Sequence, residues 1–191
     1  MTTDSRSKMV RSAARLIRTQ GMSGTSFSDV LADSGAPRGS IYHHFPEGKE
    51  QLAGDAIRWT AGWALERQRA CQATTAAGVL ACFFDLWRPI VLESKATEGC
   101  VVAGVAIDAT AGQPDLIGLV RETFRSWIDL LTAQMEAVGV PVHRAHPIAV
   151  ATLAGMEGAL ILCRAEGDIG PLEIVATELN RLASTAQTTT A

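Results

Sequence analysis

The sequence predicts an all-α protein: an N-terminal three-helix segment with a helix-turn-helix, followed by a larger helical body. Three observations carry this. Apolar residues recur at helical spacing between glycine and proline breaks, alternation of period two is scarce, and basic residues concentrate at one end. The 191 residues suffice for one large or two small domains, and 47% hydrophobic content supports a substantial core.

The first helix is expected over residues 5–20. Met9, Val10, Ala13, Ala14, Leu16 and Ile17 form its apolar stripe, and Gly21 stops it. Thr25 or Ser26 offers an N-cap to a short helix over 27–34. With Thr25 as the cap, Ser28 stands at N3 and no full capping box forms. Gly35 ends that helix. Pro37 opens the next, over 37–44, where its missing N–H would be unpaired in any case. Phe45-Pro46-Glu47-Gly48 reads as a turn. A fourth helix is expected from Lys49 to about residue 70, with Leu52, Ala56, Trp59 and Trp63 on its apolar face. Five more helical stretches follow: 75–92, 104–110, 114–138, 145–165 and 171–182. Residues 101–105 could form a strand in isolation, but with no partner strand they are read as helical or irregular. The Ala-, Thr- and Gln-rich tail from Ser184 is expected to fray.

A net charge of −3 alone argues against a nucleic-acid binder. Its distribution argues the other way: residues 1–49 hold seven Lys or Arg against four acids, and residues 50–191 hold ten against sixteen. The polar start has no apolar segment behind it, and no uncharged apolar run reaches the ~18 residues of a membrane span. A cytoplasmic protein with no membrane partner is therefore expected. Cys71, Cys82, Cys100 and Cys163 form no CxxC pair and match no zinc spacing, so buried or half-buried thiols are expected. There is no Gly-rich phosphate loop, GxSxG elbow or HExxH, so neither an enzyme, a cofactor nor a metal is expected.

Residues 27–45 have the spacing of a helix-turn-helix, whose second helix enters the major groove. Gly-containing turns join helices in many proteins, so spacing alone leaves a plain packing role open. The candidate DNA contacts are Thr25, Ser26, Arg38, Gly39, Ser40, Tyr42, His43, His44 and Lys49. Arg38 can bind a guanine edge bidentately or clamp a phosphate. Gly39 permits close approach, and the hydroxyls and imidazoles supply further donors. Lys49, Thr25 and Ser26 stand at helix starts, where free N–H groups favour phosphate.

The segment GMSGTSFSDVLADSGAPRGSIYHHFPEGKEQL, residues 21–52, resembles the DNA-binding domain of tetracycline-repressor (TetR-like) regulators. The resemblance rests on Gly21, Thr25, Ser26, Phe27, Val30, Gly35, Arg38, Gly39, Ile41, Tyr42, His44, Phe45, Lys49, Glu50 and Leu52. Ala36-Pro37 departs from the family's usual Val-Ser and removes the N-cap hydroxyl of the recognition helix. That departure, Pro46-Glu47-Gly48 and Gly99-Cys100 resemble the branch with repressors of drug-efflux and flavonoid-responsive genes. The resemblance implies a DNA-binding domain over 1–48 and a ligand-binding and dimerisation domain over 49–191. It implies a repressor that binds an operator in double-stranded DNA as a homodimer and is released by a small-molecule inducer.

By that resemblance the last two helices form the dimer interface. The penultimate stretch is apolar on several sides, which asks for burial on more than one face. Ile148, Thr152, Gly155, Met156, Ala159, Leu172, Val175 and Leu179 are the expected interface residues. Trp59, Trp63, Phe83, Phe84, Trp87, Phe124 and Trp127 either fill the core of the body or line an apolar ligand cavity. Asp108 and Glu157 are the expected polar lining. Glu157 interrupts an apolar helix and is open either to a ligand or to an arginine across the dimer.

Overall fold

The computed structural model describes residues 2–188, with side chains from Ser5. Among the described residues there are ten α-helices and no strand. They are α1 (Thr2–Gly24), α2 (Phe27–Ser34), α3 (Ser40–His44), α4 (Lys49–Arg69) and α5 (Ala76–Asp85). There follow α6 (Arg88–Glu93), α7 (Val101–Asp108), α8 (Pro114–Ala137), α9 (Val142–Glu166) and α10 (Gly170–Thr188). The expected all-α class holds, and 101–105 are helical.

Among the boundaries that differ from expectation, three have a clear local reason. The single helix expected over 75–92 is two, α5 and α6. Pro89 has no N–H for the carbonyl of Asp85, and α5 ends there. The recognition segment is helical only from Ser40, because residues 37–39 form a turn closed by Ser40 N–H donating to Pro37 O at 2.9 Å. The tail does not fray at Ser184: Ala183 and Ala186 are buried, and Gln187 donates to Val138 O at 2.6 Å and accepts from Ala76 N–H at 3.0 Å. The expected fraying of residues 189–191 lies outside the described residues.

The chain divides into two compact units. The first comprises Met1–Trp63 and Cys100–Thr123, so it takes in most of α4, α7 and the first part of α8 as well as the N-terminal helices. α1 packs on α2, α3 and α7 around Met9, Ala13, Ile17, Val30, Ile41, Phe45 and Val105, all buried. Gly104 brings α7 onto the backbone of α1, since a Cβ there would stand 3.2 Å from Ile17 O. Gly21, at φ 76°, breaks the helical path of α1, and Ser23 N–H then donates to the Asp108 carboxylate at 2.7 Å. Asp33 ties α2 to α1, accepting from Ser12 Oγ at 2.6 Å and from Arg15. Partial burial opposes ionisation of Asp33, but those donors outweigh it and lower its pKa.

The second unit comprises Ala64–Gly99 and Phe124–Ala191. α10 packs against both α5 and α9. Arg88 grips Glu173 of α10 with Nε–Oε1 at 2.7 Å and Nη2–Oε2 at 2.9 Å, and also pairs with Asp85. Hydrogen bonding from Arg88 holds the Glu173 carboxyl below its usual range. Gln68, buried near the end of α4, donates to Val79 O of α5 and to Gln134 Oε1 of α8.

One expectation is corrected in this unit. Cys71 and Cys82 are joined by a disulfide, their Cα atoms 6.1 Å apart. A separation of eleven residues carries no sequence signature, and only the return of the chain from α4 into α5 brings the two together. Cys100 and Cys163 are buried free thiols, as expected. By length and composition α9 is long and apolar enough to cross a membrane. Glu157 interrupts its apolar run, so no uncharged stretch in it reaches the length of a membrane span. Its packing on α10 and its buried seam identify α9 as a core helix.

Candidate nucleic-acid interface

The helix-turn-helix is built by local chemistry at each joint. Ser26 is the N-cap of α2: Asp29 N–H donates to Ser26 Oγ at 3.1 Å, and Ser26 N–H donates to Asp29 Oδ2 at 2.9 Å. This is a capping box with Asp in the N3 position. The Ser26 hydrogen bonds also lower the Asp29 pKa. Thr25 has a different job. It is buried, and its hydroxyl donates to Gly21 O at 2.8 Å, bracing the turn out of α1. Gly35 caps the other end of α2 in the left-handed region, φ 66°, its N–H donating to Leu31 O.

α3 lacks a side-chain cap because its N-cap is Gly39, which has no side chain; Pro37, expected at the helix start, lies in the turn before it. Ser40 Oγ donates to Pro37 O at 2.6 Å. Two large apolar side chains fix the segment to the core: Ile41 and Phe45 are fully buried, and the Arg6 guanidinium lies over the Phe45 ring at 5.4 Å. Most of the positions between and before these anchors face outward. Arg38, Gly39, Tyr42 and His43 are exposed, and Ser40 is half-buried. Tyr42 is 68% exposed and rests edge-on against Phe27 at 5.6 Å. His44 is half-buried, between His43 and Phe45. Lys49 is exposed, and its ammonium donates to Ser23 O at 3.1 Å.

The expected ligand-cavity residues are divided between the units. Trp59, Trp63 and Asp108 belong to the first; Phe83, Phe84, Trp87, Phe124, Trp127 and Glu157 belong to the second. Trp59 is 40% exposed and lines an open cleft with Arg6, Arg11 and Arg58. The five aromatic residues of the second unit form one chain of edge-on contacts. Phe83 meets Phe84 and Trp87, Trp87 meets Trp127 at 5.9 Å, and Trp127 meets Phe124 at 5.9 Å. The indole N–H groups of Trp87 and Trp127 are buried and find no hydrogen-bond partner among the described residues.

The residues expected at a dimer interface differ in exposure within the single chain. Ile148, Thr152, Met156, Ala159 and Leu172 are buried, and Gly155 lies where a Cβ would press on Leu179 and Val175. Gly155, Val175 and Leu179, all half-buried, meet where α9 packs on α10. The exposed apolar residues of the two helices are others: Val150, Ile161, Leu162, Ile174 and Leu182. With Ala154 and Gly158, the exposed positions of α9 recur every three or four residues and form one stripe. Helical periodicity could have found that stripe, but it could not say which of the two apolar faces of α9 is covered by α10.

The profile of "Bacterial regulatory proteins, tetR family" matches residues 10–56. That of "Transcriptional regulator LmrA/YxaF-like, C-terminal domain" matches residues 76–178, more than half of the chain. An HTH-type transcriptional regulator of Mycobacterium tuberculosis is 36% identical over 185 residues, covering 93% of each chain. The chain belongs to the TetR family of transcriptional regulators.

The regulator is also 30% identical to LmrA of Bacillus subtilis, over 88% of this chain and 91% of that one. Among solved structures, a TetR regulator from Chloroflexus aurantiacus superposes with a TM-score of 0.75 at 30% identity, covering 94% of each chain. A TetR-family regulator from Agrobacterium tumefaciens shares the fold, with a TM-score of 0.83 at 24% identity over 96% of this chain and 100% of that one. TetR-family regulators are transcription factors and not enzymes, and generally act as ligand-responsive, DNA-binding homodimeric repressors.

Proposed function

We propose that this regulator represses transcription by binding a near-palindromic operator as a homodimer, and that a small lipophilic or aromatic inducer releases it. The observation that carries the DNA reading is the outward face of α3. Ile41 and Phe45 are spent on anchoring, while Arg38, Tyr42 and His43 stand exposed on the outward face. Arg38, Ser40 and His43 face base edges, with Arg38 suited to a guanine. Tyr42, Ser26, Lys49 and His44 meet the phosphate backbone, Gly39 permits close approach, and Thr25 holds the turn that presents them. Residues 1–48 read the DNA, and residues 49–191 bind ligand and pair the subunits, in the bacterial cytoplasm where the operator is.

The exposed stripe on α9, with Ile174 and Leu182 of α10, supports pairing with a second copy. A two-fold axis there uses the same patch on both subunits. The aromatic chain of the second unit supports the inducer reading. Two indole donors buried without acceptors at Trp87 and Trp127 are incomplete, and a ligand bearing a carbonyl or hydroxyl oxygen completes them. Such a ligand releases DNA only if it binds the non-operator conformation better than the operator-bound one.

The test is selection of binding sites from random duplexes with the purified protein. A two-fold-related sequence should be enriched, and R38A and Y42A should lose it while remaining folded. Enrichment of nothing, or equal binding by both variants, would overturn the reading.

A further inference from the structure

We infer that Cys71 and Cys82 are a reversible redox pair, oxidised by hydroperoxides and reduced by dithiols, whose disulfide sets the mobility of the α4–α5 junction. The bond joins two elements that already have separate anchors. Gln68, one turn before Cys71, is clamped to α5 and α8, and α5 packs along α10. The fold therefore does not depend on the bond, and the pair is free to open. Both cysteines are half-buried and within reach of small oxidants and of reductants, whereas Cys100 and Cys163 are buried. Burial also raises the pKa of the Cys163 thiol, which keeps it unreactive. On the proposed reading of this chain as a cytoplasmic DNA-binding protein, the pair works in a compartment that keeps thiols reduced. Disulfides found there are typically catalytic or sensing.

The chemistry balances with a hydroperoxide as oxidant. A thiolate of the pair attacks the O–O bond, forming a sulfenic acid and releasing an alcohol, or water from hydrogen peroxide. The second thiol displaces the sulfenic oxygen as water, and the S–S bond forms. Two thiols lose two electrons and two protons, and the peroxide gains them. A dithiol reverses the step by exchange through a mixed disulfide.

α4 begins at Lys49 in the first unit and ends, just before Cys71, in the second. A change in the freedom of its last turn is therefore a change in a helix that both units share.

The test uses the full-length protein equilibrated in glutathione buffers, with thiol counting, amide hydrogen exchange, and binding to the duplex obtained by site selection. Wild type should titrate from four thiols to two as the buffer becomes oxidising, and C71S/C82S should keep two throughout. On reduction, amides around residues 70–82 should exchange about tenfold faster, with those of α3 unchanged. Operator affinity should differ about fivefold or more between the two forms of wild type and not respond in C71S/C82S. A pair that stays oxidised in the most reducing buffer, or equal exchange or equal affinity in the two forms, would overturn the inference. Absence of DNA binding in both forms would count against the operator reading, and the exchange comparison would still decide the redox pair.

Discussion

α3 and α9 divide their side chains in opposite ways. α3 is five residues long; it buries Ile41 and leaves Tyr42 and His43 in solvent. Its outward groups are polar, and its role shows in what it fails to bury. α9 runs for 25 residues and is apolar nearly all round. One face is sealed by α10, and the other presents Val150, Ile161 and Leu162 to solvent. The lesson is that exposure, and not hydrophobicity, separates the side chains that hold the fold from those available to a partner.

The comparison breaks most sharply at the anchor of α3. Phe45→Ala removes a fully buried ring and should cost about 3–5 kcal/mol in denaturant unfolding, with operator binding lost through the disordered segment. A loss under about 1 kcal/mol would show that Phe45 does not hold α3. On α9, Ile161→Glu changes a residue that is 62% exposed in the single chain. Sedimentation should show the dimer weakened about 100-fold or more, near 3 kcal/mol. Met156→Ala, on the sealed face, should instead lower the stability of the chain by about 2–5 kcal/mol and leave pairing to follow folding. A dimer unaffected by Ile161→Glu would place the interface elsewhere.

Arg38→Ala should weaken operator binding by about 1–3 kcal/mol, read by fluorescence anisotropy, and relax base preference at one position of each half-site. Its unfolding curve should match that of wild type, because Arg38 is exposed. The smallest effects are electrostatic. The pKa values of Glu173 and Asp33 are lowered in the folded protein, so their contribution to stability is present above the ordinary values of 4.5 and 3.8 and is lost as pH falls. Glu173→Gln should therefore cost up to about 1 kcal/mol at pH 7, discounted because the Glu173 side chain is 44% exposed. At pH 3 the difference from wild type should shrink. A gap that widened on acidification would mean that the Arg88–Glu173 pair does not govern it.

The head was legible because nearly every residue of its pattern has one local task. Gly35 takes the left-handed cap, Ile41 and Phe45 are buried, and Arg38 and Tyr42 face out. Only Thr25 and Ser26 left a choice, which the Asp29 capping box decides. The body was legible as helices but not as surfaces. Its apolar period fits both faces of α9, so it does not reveal that Ile148, Thr152, Met156 and Ala159 are buried within the single chain while Val150, Ile161 and Leu162 are exposed. The Cys71–Cys82 bond left no trace in spacing, since proximity there is a product of the turn between α4 and α5. Asp108 is expected as polar lining of a cavity, and sequence pattern alone does not reveal that its carboxylate accepts from Ser23 N–H in the first unit.

The central claim is that α3 reads DNA as one of a pair. Hydroxyl-radical footprinting on the selected duplex tests it most directly. Wild type should protect two segments on one face of the helix, their centres about 10 bp apart or a multiple of that. Ile161→Glu should lose both at the same protein concentration. A single protected segment, or a footprint unchanged in Ile161→Glu, would contradict the account.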